Sequence, residues 1–189
     1  MGAYFNPGNE SFKGDVRSRI YVDKTGLINV LNKRIDTAER CVAVSHARRF
    51  GKSQAAGMID AYYSKGSNSR ELFAPFEIAK ADDFDTYLNK YNVIHVDVSS
   101  ANDYFTDGLV EFISNKIITE IKKEIGGEET IDYSQPINFV LKSVYEYTGD
   151  SFVIIIDEWD CIIRNHADRQ DLVHEYLQFL HSLFKSEES

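Results

Sequence analysis

Along this chain, short apolar runs alternate with longer stretches whose apolar residues recur every three or four positions. Three runs are rich in β-branched or aromatic residues: 41–44, 93–98 and 152–156. Runs of that length and composition predict strands. The third contains nothing polar, which predicts a strand buried on both faces. Between and after the runs lie helical patterns. Residues 52–63 follow the first. Residues 106–124 follow the second, with Leu109, Phe112, Ile113, Ile117 and Ile121 on one face. Residues 138–147 precede the third, and 171–184 close the chain with Leu172, Tyr176, Phe179, Leu180 and Leu183 as a stripe. A further helical pattern begins at Lys24, with Leu27, Ile28, Val30 and Leu31 apolar. The first 20 residues read as an irregular arm around Phe5 and Phe12. Strands alternating with helices predict an α/β fold, a parallel sheet flanked by helices in three layers.

Composition narrows the class. The chain has 189 residues, 43% hydrophobic and 27% charged, as in an ordinary globular domain. Three prolines and no Gly/Ser-rich stretch leave no interdomain linker, and no internal repeat is visible. The expectation is a single domain over 1–189, with an arm and pre-loop helix over 1–40 and a core over 41–189. The 21 basic against 30 acidic residues give a net charge of −9, which argues against a general nucleic-acid coat. No apolar run approaches the roughly 20 residues of a membrane helix. The first residues lack the features of a secretory signal. Two cysteines, Cys41 and Cys161, are too few for a disulfide framework, so a cytoplasmic protein is expected.

The chemistry concentrates in two strings. Arg48-Arg49-Phe50-Gly51-Lys52-Ser53 follows the first run and opens a helical pattern. Gly-Lys-Ser at a strand-to-helix junction is the second half of a phosphate-binding loop. Gly51 permits the tight turn, the helix start faces an anion with its N–H groups and positive dipole end, Lys52 reaches the β- and γ-phosphates, and the Ser53 hydroxyl binds Mg²⁺. The full pattern has another glycine where this chain has His46, so the match is incomplete. Further on, 152–156 runs straight into Asp157-Glu158. An apolar strand ending in Asp is how phosphate-loop enzymes hold Mg²⁺, and a Glu beside it can orient or deprotonate water. Each string alone also fits a plain turn or helix cap; together they point to nucleotide binding.

With these strings in place, the chain resembles the AAA-ATPase-like proteins of bacteria and archaea, P-loop NTPases often fused to a restriction-endonuclease-like nuclease domain. The resemblance rests on Tyr21-Val22-Asp23-Lys24-Thr25 with Leu27 and Leu31, on 48–53, and on Ile155-Ile156-Asp157-Glu158-Trp159-Asp160. Asn6-Pro7-Gly8 and Phe12 also fit, and the likeness runs from about residue 6 to 184. Family members commonly lack the first loop glycine. A proline is usual where Ala47 stands, and a tyrosine where Trp159 stands. The resemblance implies ATP and Mg²⁺ as cofactors. Arg49, Phe50, Gly51, Lys52 and Ser53 would hold the nucleotide, with Ser53 and Asp157 on the metal. Lys52 and Glu158 would be catalytic, Glu158 as the hydrolytic carboxylate. Asp23 would sit in the segment near the adenine; capping the following helix explains it equally well. Arg48 and Arg49 fit a phosphate or nucleic-acid contact or a solvated loop.

The alternative is a nucleotide-binding or protein-interaction module that does not catalyse, with a degenerate loop. After Glu158 the pattern shows a loop and one helix but no further strand. The sheet is therefore expected to look truncated after the Walker B strand. Either the loop strand and the Asp-Glu strand pair directly, as in kinase-like phosphate-loop proteins, or an open edge remains and recruits a homodimer or larger assembly. A nuclease domain is expected only outside this chain. Other candidate sites fall away. His174 and Glu175 lack a histidine at Gln178, Asp82, Asp83 and Asp85 lack calcium-loop spacing, and nothing basic in sequence activates Cys161.

Overall fold

The computed structural model describes residues 2–44, 50–104 and 108–184. The chain folds as two compact units. One comprises residues 6–93; the other comprises 2–5 together with the chain from Ile94 onward.

In the first unit, helix α1 (Glu10–Val16) lies within the stretch expected to be irregular. Phe12 drives its formation: it is fully buried and stacks on Phe73 with ring centroids 4.9 Å apart. Helix α2 (Gly26–Asn32) realises the pattern beginning at Lys24, with Ile28 buried. Helix α3 (Lys52–Tyr63) matches its expected bounds and buries Ala56, Met58, Ala61, Tyr62 and Tyr63. It meets α1 closely, since a Cβ on Gly57 would lie 2.9 Å from Ser11 Oγ. Short helices α4 (Arg70–Phe73) and α5 (Phe84–Tyr87), with a 3-10 turn at Glu77–Lys80, wrap the end of α3. Asn89 closes that end: its amide donates to the carbonyls of Ala61, Tyr62 and Ser64, and its Oδ1 accepts from Ser69 N–H. The Tyr63 hydroxyl donates to Asn32 Oδ1 at 2.6 Å, tying α3 to α2.

The first expected strand does not form. Residues 41–44 carry no regular structure, and all four are exposed. A strand needs a hydrogen-bonded neighbour, which composition alone does not supply; no described residue pairs with them.

The second unit is built around α7 (Leu109–Ile125). Its residues Leu109, Ile113, Ile117 and Ile121, each four apart, are all fully buried. Strand β1 (Asn92–Asp97) enters this unit at Ile94, and Val98 starts helix α6 (Val98–Tyr104) rather than prolonging the strand. Helix α8 (Ile137–Thr148) buries Ile137, Val140, Leu141 and Val144 and ends at Gly149, whose φ of 73° suits a helix stop. Strand β2 (Phe152–Asp157) pairs with β1 in a parallel two-stranded sheet. Every residue of β2 is half-buried, not enclosed on both faces as expected. The reason is structural: β1 is its one strand neighbour among the described residues, so the sheet does not continue past it. After β2 come two helices where one was expected, α9 (Cys161–Asn165) and α10 (Gln170–Phe184). Leu172, Tyr176 and Phe179 seat α10 in the same core as α7, α8 and Ile162.

One side chain and a backbone bridge join the N-terminal strap to this unit. Glu120 accepts the backbone N–H groups of Ala3, Tyr4 and Phe5 at 3.0, 2.8 and 2.8 Å, and Phe5 bridges to Ile94. None of the helices is long and apolar enough to cross a membrane, among the described residues.

Candidate functional site

In the first unit, chemistry gathers at the start of α3. Gly51 is the residue before the helix, at φ 77° and ψ 37°, a left-handed conformation that only glycine adopts without strain. It places Lys52 and Ser53 as the first two helical residues, and no side chain caps the helix there. Lys52 is half-buried and Ser53 exposed. Phe50 is 61% exposed, and its carbonyl accepts a 2.9 Å hydrogen bond from Lys24 Nζ. Gln54, on the first turn, donates its amide to Asp15 Oδ1 at 3.3 Å. Arg49 and Arg48 lie outside the described residues, as do His46 and Ala47.

Asp23 holds the chain that carries Lys24. Its Oδ1 accepts the Thr25 N–H at 2.8 Å and its Oδ2 the Glu77 N–H at 3.0 Å. Burial pushes its carboxyl up, but those two N–H bonds and the Thr25 hydroxyl outweigh it and leave the carboxyl below its ordinary range. Thr25 is fully buried, and its Oγ1 accepts the Ile78 N–H.

In the second unit, the C-terminal ends of both strands carry aspartates. Asp157 ends β2, and its Oδ1 accepts the Glu158 N–H at 2.9 Å. Glu158 has a φ of 51°, a left-handed conformation that is costly for a residue with a Cβ. Its carboxylate faces the Arg164 guanidinium at 3.3 Å, and Arg164 also holds Asp160 at 2.8 Å. The turn is pinned by two further bonds: Cys161 N–H donates to the Glu158 carbonyl, and the Tyr176 hydroxyl donates to the Trp159 carbonyl, both at 2.9 Å. Asp97 ends β1. Burial raises its carboxyl, yet the hydroxyls and N–H groups of Ser100 and Ser99 outweigh that and hold it below the ordinary carboxylate range.

No three His, Cys, Asp or Glu side chains converge as a metal cluster among the described residues. Mg²⁺ does not ask for one. It binds through one or two carboxylates and completes its shell with water and phosphate oxygens. Asp157 fits that demand, because its Oδ2 enters no hydrogen bond with the described residues. The Ser53 hydroxyl, exposed on the first turn of α3, is a donor of the right kind.

A family model described as predicted AAA-ATPase matches residues 10–188. The chain belongs to the AAA-ATPase-like family. No curated protein and no solved structure matches it. Of the residues expected at the site, this AAA-ATPase-like chain carries Asp23 and 50–53 in its first unit, and Asp157 and Glu158 in its second. Sequence reasoning missed three neighbours. Arg164 carried no signal beyond its spacing from Asp160. Asp97 did carry one, since it ends an apolar run as Asp157 does. Lys24 belongs to a segment that carries the family resemblance, but nothing in its sequence context aims it at Phe50, 26 residues away.

Proposed function

We propose that the chain is the nucleotide-binding domain of a P-loop NTPase, and that it hydrolyses ATP with Mg²⁺. The observation that carries this reading is the start of α3: a left-handed Gly51 followed directly by Lys52 and Ser53, in a chain matched over 10–188 by the AAA-ATPase-like family. The helix start supplies backbone N–H groups and a positive dipole end to phosphate oxygens. Lys52 balances the charge of the β- and γ-phosphates, and the family resemblance adds Arg49 and Phe50 as nucleotide contacts. Bound Mg²⁺ would neutralise charge on the phosphate oxygens, and the family resemblance names Ser53 and Asp157 as its candidate ligands. Glu158 orients the attacking water and accepts its proton. Its left-handed backbone supports that role, because strain of this kind collects at functional positions.

Turnover by the purified chain tests the assignment. ATP hydrolysis is expected from the unsubstituted chain. Lys52→Ala should abolish nucleotide binding. Glu158→Gln should bind ATP but release phosphate at least about 100-fold more slowly, the usual range for a lost general base. Equal turnover in all three proteins would sink the proposal.

A further inference from the structure

We propose that Lys24 is a second phosphate-binding lysine of this nucleotide site, parked on the Phe50 carbonyl until a polyphosphate occupies the start of α3. The inference rests on the nucleotide-binding reading above and adds a residue that the loop motif does not contain.

Three features of the structure support it. The first is position. Lys24 Nζ lies 2.9 Å from the Phe50 carbonyl oxygen, and a Cβ on Gly51 would come within 2.5 Å of it. Gly51 is required by its left-handed φ, and the ammonium lies where a Cβ at that position would reach. The second is anchorage. The backbone beneath Lys24 is fixed by Asp23 on the Thr25 and Glu77 N–H groups, and by buried Thr25. A long, flexible side chain thus starts from a rigid root, which lowers the ordering cost of placing its head. The third is charge. An ammonium beside a helix N-terminus meets the positive end of the dipole, where an anion belongs. Among the described residues its hydrogen-bond partner is one neutral carbonyl, although an ammonium carries three donors. Polyphosphate reverses that mismatch. It supplies the negative charge that Lys24, Lys52 and the helix start all favour, and the ammonium needs only a small swing from the carbonyl to a phosphate oxygen.

A brace that merely holds the Phe50–Gly51 turn would show the same contact, so the test separates charge from bracing. Tripolyphosphate, ATP, ADP and adenosine are titrated by calorimetry into the unsubstituted chain and into Lys24→Met, Lys24→Gln and Lys24→Arg, each checked for folding by circular dichroism. Lys24→Gln keeps a donor for the carbonyl and loses the charge. The expected result is a loss of about tenfold for tripolyphosphate and ATP in both Lys24→Met and Lys24→Gln, the scale of one charge-assisted hydrogen bond. The loss should be smaller for ADP and absent for adenosine, with most affinity retained in Lys24→Arg and a shallower salt dependence in the neutral variants. Full affinity of folded Lys24→Gln for tripolyphosphate would overturn the proposal, as would an equal loss for adenosine. An unsubstituted chain that binds neither tripolyphosphate nor ATP overturns both this inference and the nucleotide-binding reading. Binding that is indifferent to Lys24 overturns the inference alone.

Discussion

Glu158 shows how a single residue can set stability against chemistry. Its φ of 51° places a residue with a Cβ where glycine or asparagine is at home. The ion pair with Arg164 offsets little, because both side chains are partly open to water, which screens their attraction. Replacing the residue with glycine removes the strain and, on the proposed function, also the water-orienting carboxylate. Glu158→Gly should therefore gain about 0.5–1 kcal/mol of stability, the range of left-handed relief after the entropy of glycine is counted, while ATP turnover falls to background. Urea denaturation beside a phosphate-release assay checks both halves. A less stable variant would remove the case for strain at this turn. Gly51 is the converse. It is a glycine in the same region of backbone space, and a Cβ there would also meet the Lys24 ammonium.

At the scale of elements, the N-terminal strap is held to α7 by Glu120, which takes three backbone N–H groups at once. Hydrogen bonds to a carboxylate are stronger than those between neutral groups, and the N–H groups of Tyr4 and Phe5 are partly buried. Glu120→Ala is expected to cost about 2 kcal/mol. Faster amide exchange should appear at Tyr4, Phe5 and His95, since His95 N–H donates to the Tyr4 carbonyl. Unchanged exchange at those three amides would show that the Phe5–Ile94 bridge and the burial of Phe5 suffice. Such a clamp spans more than 110 residues, so no local pattern announces it. The same distinction explains which elements could be read from the sequence. Helices α7, α8 and α10 depend on their own i, i+4 stripes, and their expected bounds match to within a few residues. Helix α3 was marked by its glycine start. Residues 41–44 have the composition of a strand, but pairing is a property of two segments, and their partner is not among the described residues. Helix α1 was missed because Phe12 is the one fully buried apolar anchor in a polar stretch. At the site, residue types and order were legible in 50–53 and 157–158. The cross-chain contacts of Lys24, Asp23 and Arg164 were not, because they depend on tertiary approach.

Across the whole molecule, folding perturbs two sets of ionisable groups in opposite directions. The carboxyls of Asp23 and Asp97 sit below their ordinary range, because donors from nearby backbone and serine or threonine groups outweigh the effect of burial. Burial pushes Tyr21 and Tyr62 up to about 12 and raises Tyr63 and Tyr176 as well. The signs follow from linkage. A lowered carboxyl stabilises the fold above its unfolded pKa, and that contribution is lost as pH falls through the folded value. A raised phenol stabilises the fold at every pH below its unfolded value of about 10, and that contribution is lost as pH climbs toward the folded value. Stability should thus be level from about pH 5 to 9, fall below pH 4, and fall steeply above pH 10. The alkaline limb is expected to be the steeper. Three buried phenols and the half-buried Tyr21 must ionise, and a chain already at −9 repels itself more as its lysines lose their charge. Absorbance at 295 nm, followed together with far-ultraviolet ellipticity, provides the measurement. Part of the absorbance change should coincide with the loss of ellipticity, as the buried tyrosines ionise only when their packing opens. All eleven tyrosines titrating together near pH 10, with ellipticity unchanged, would mean that the packing of Tyr62 and Tyr63 against Phe73, Phe84 and Tyr91 does not enclose them in solution.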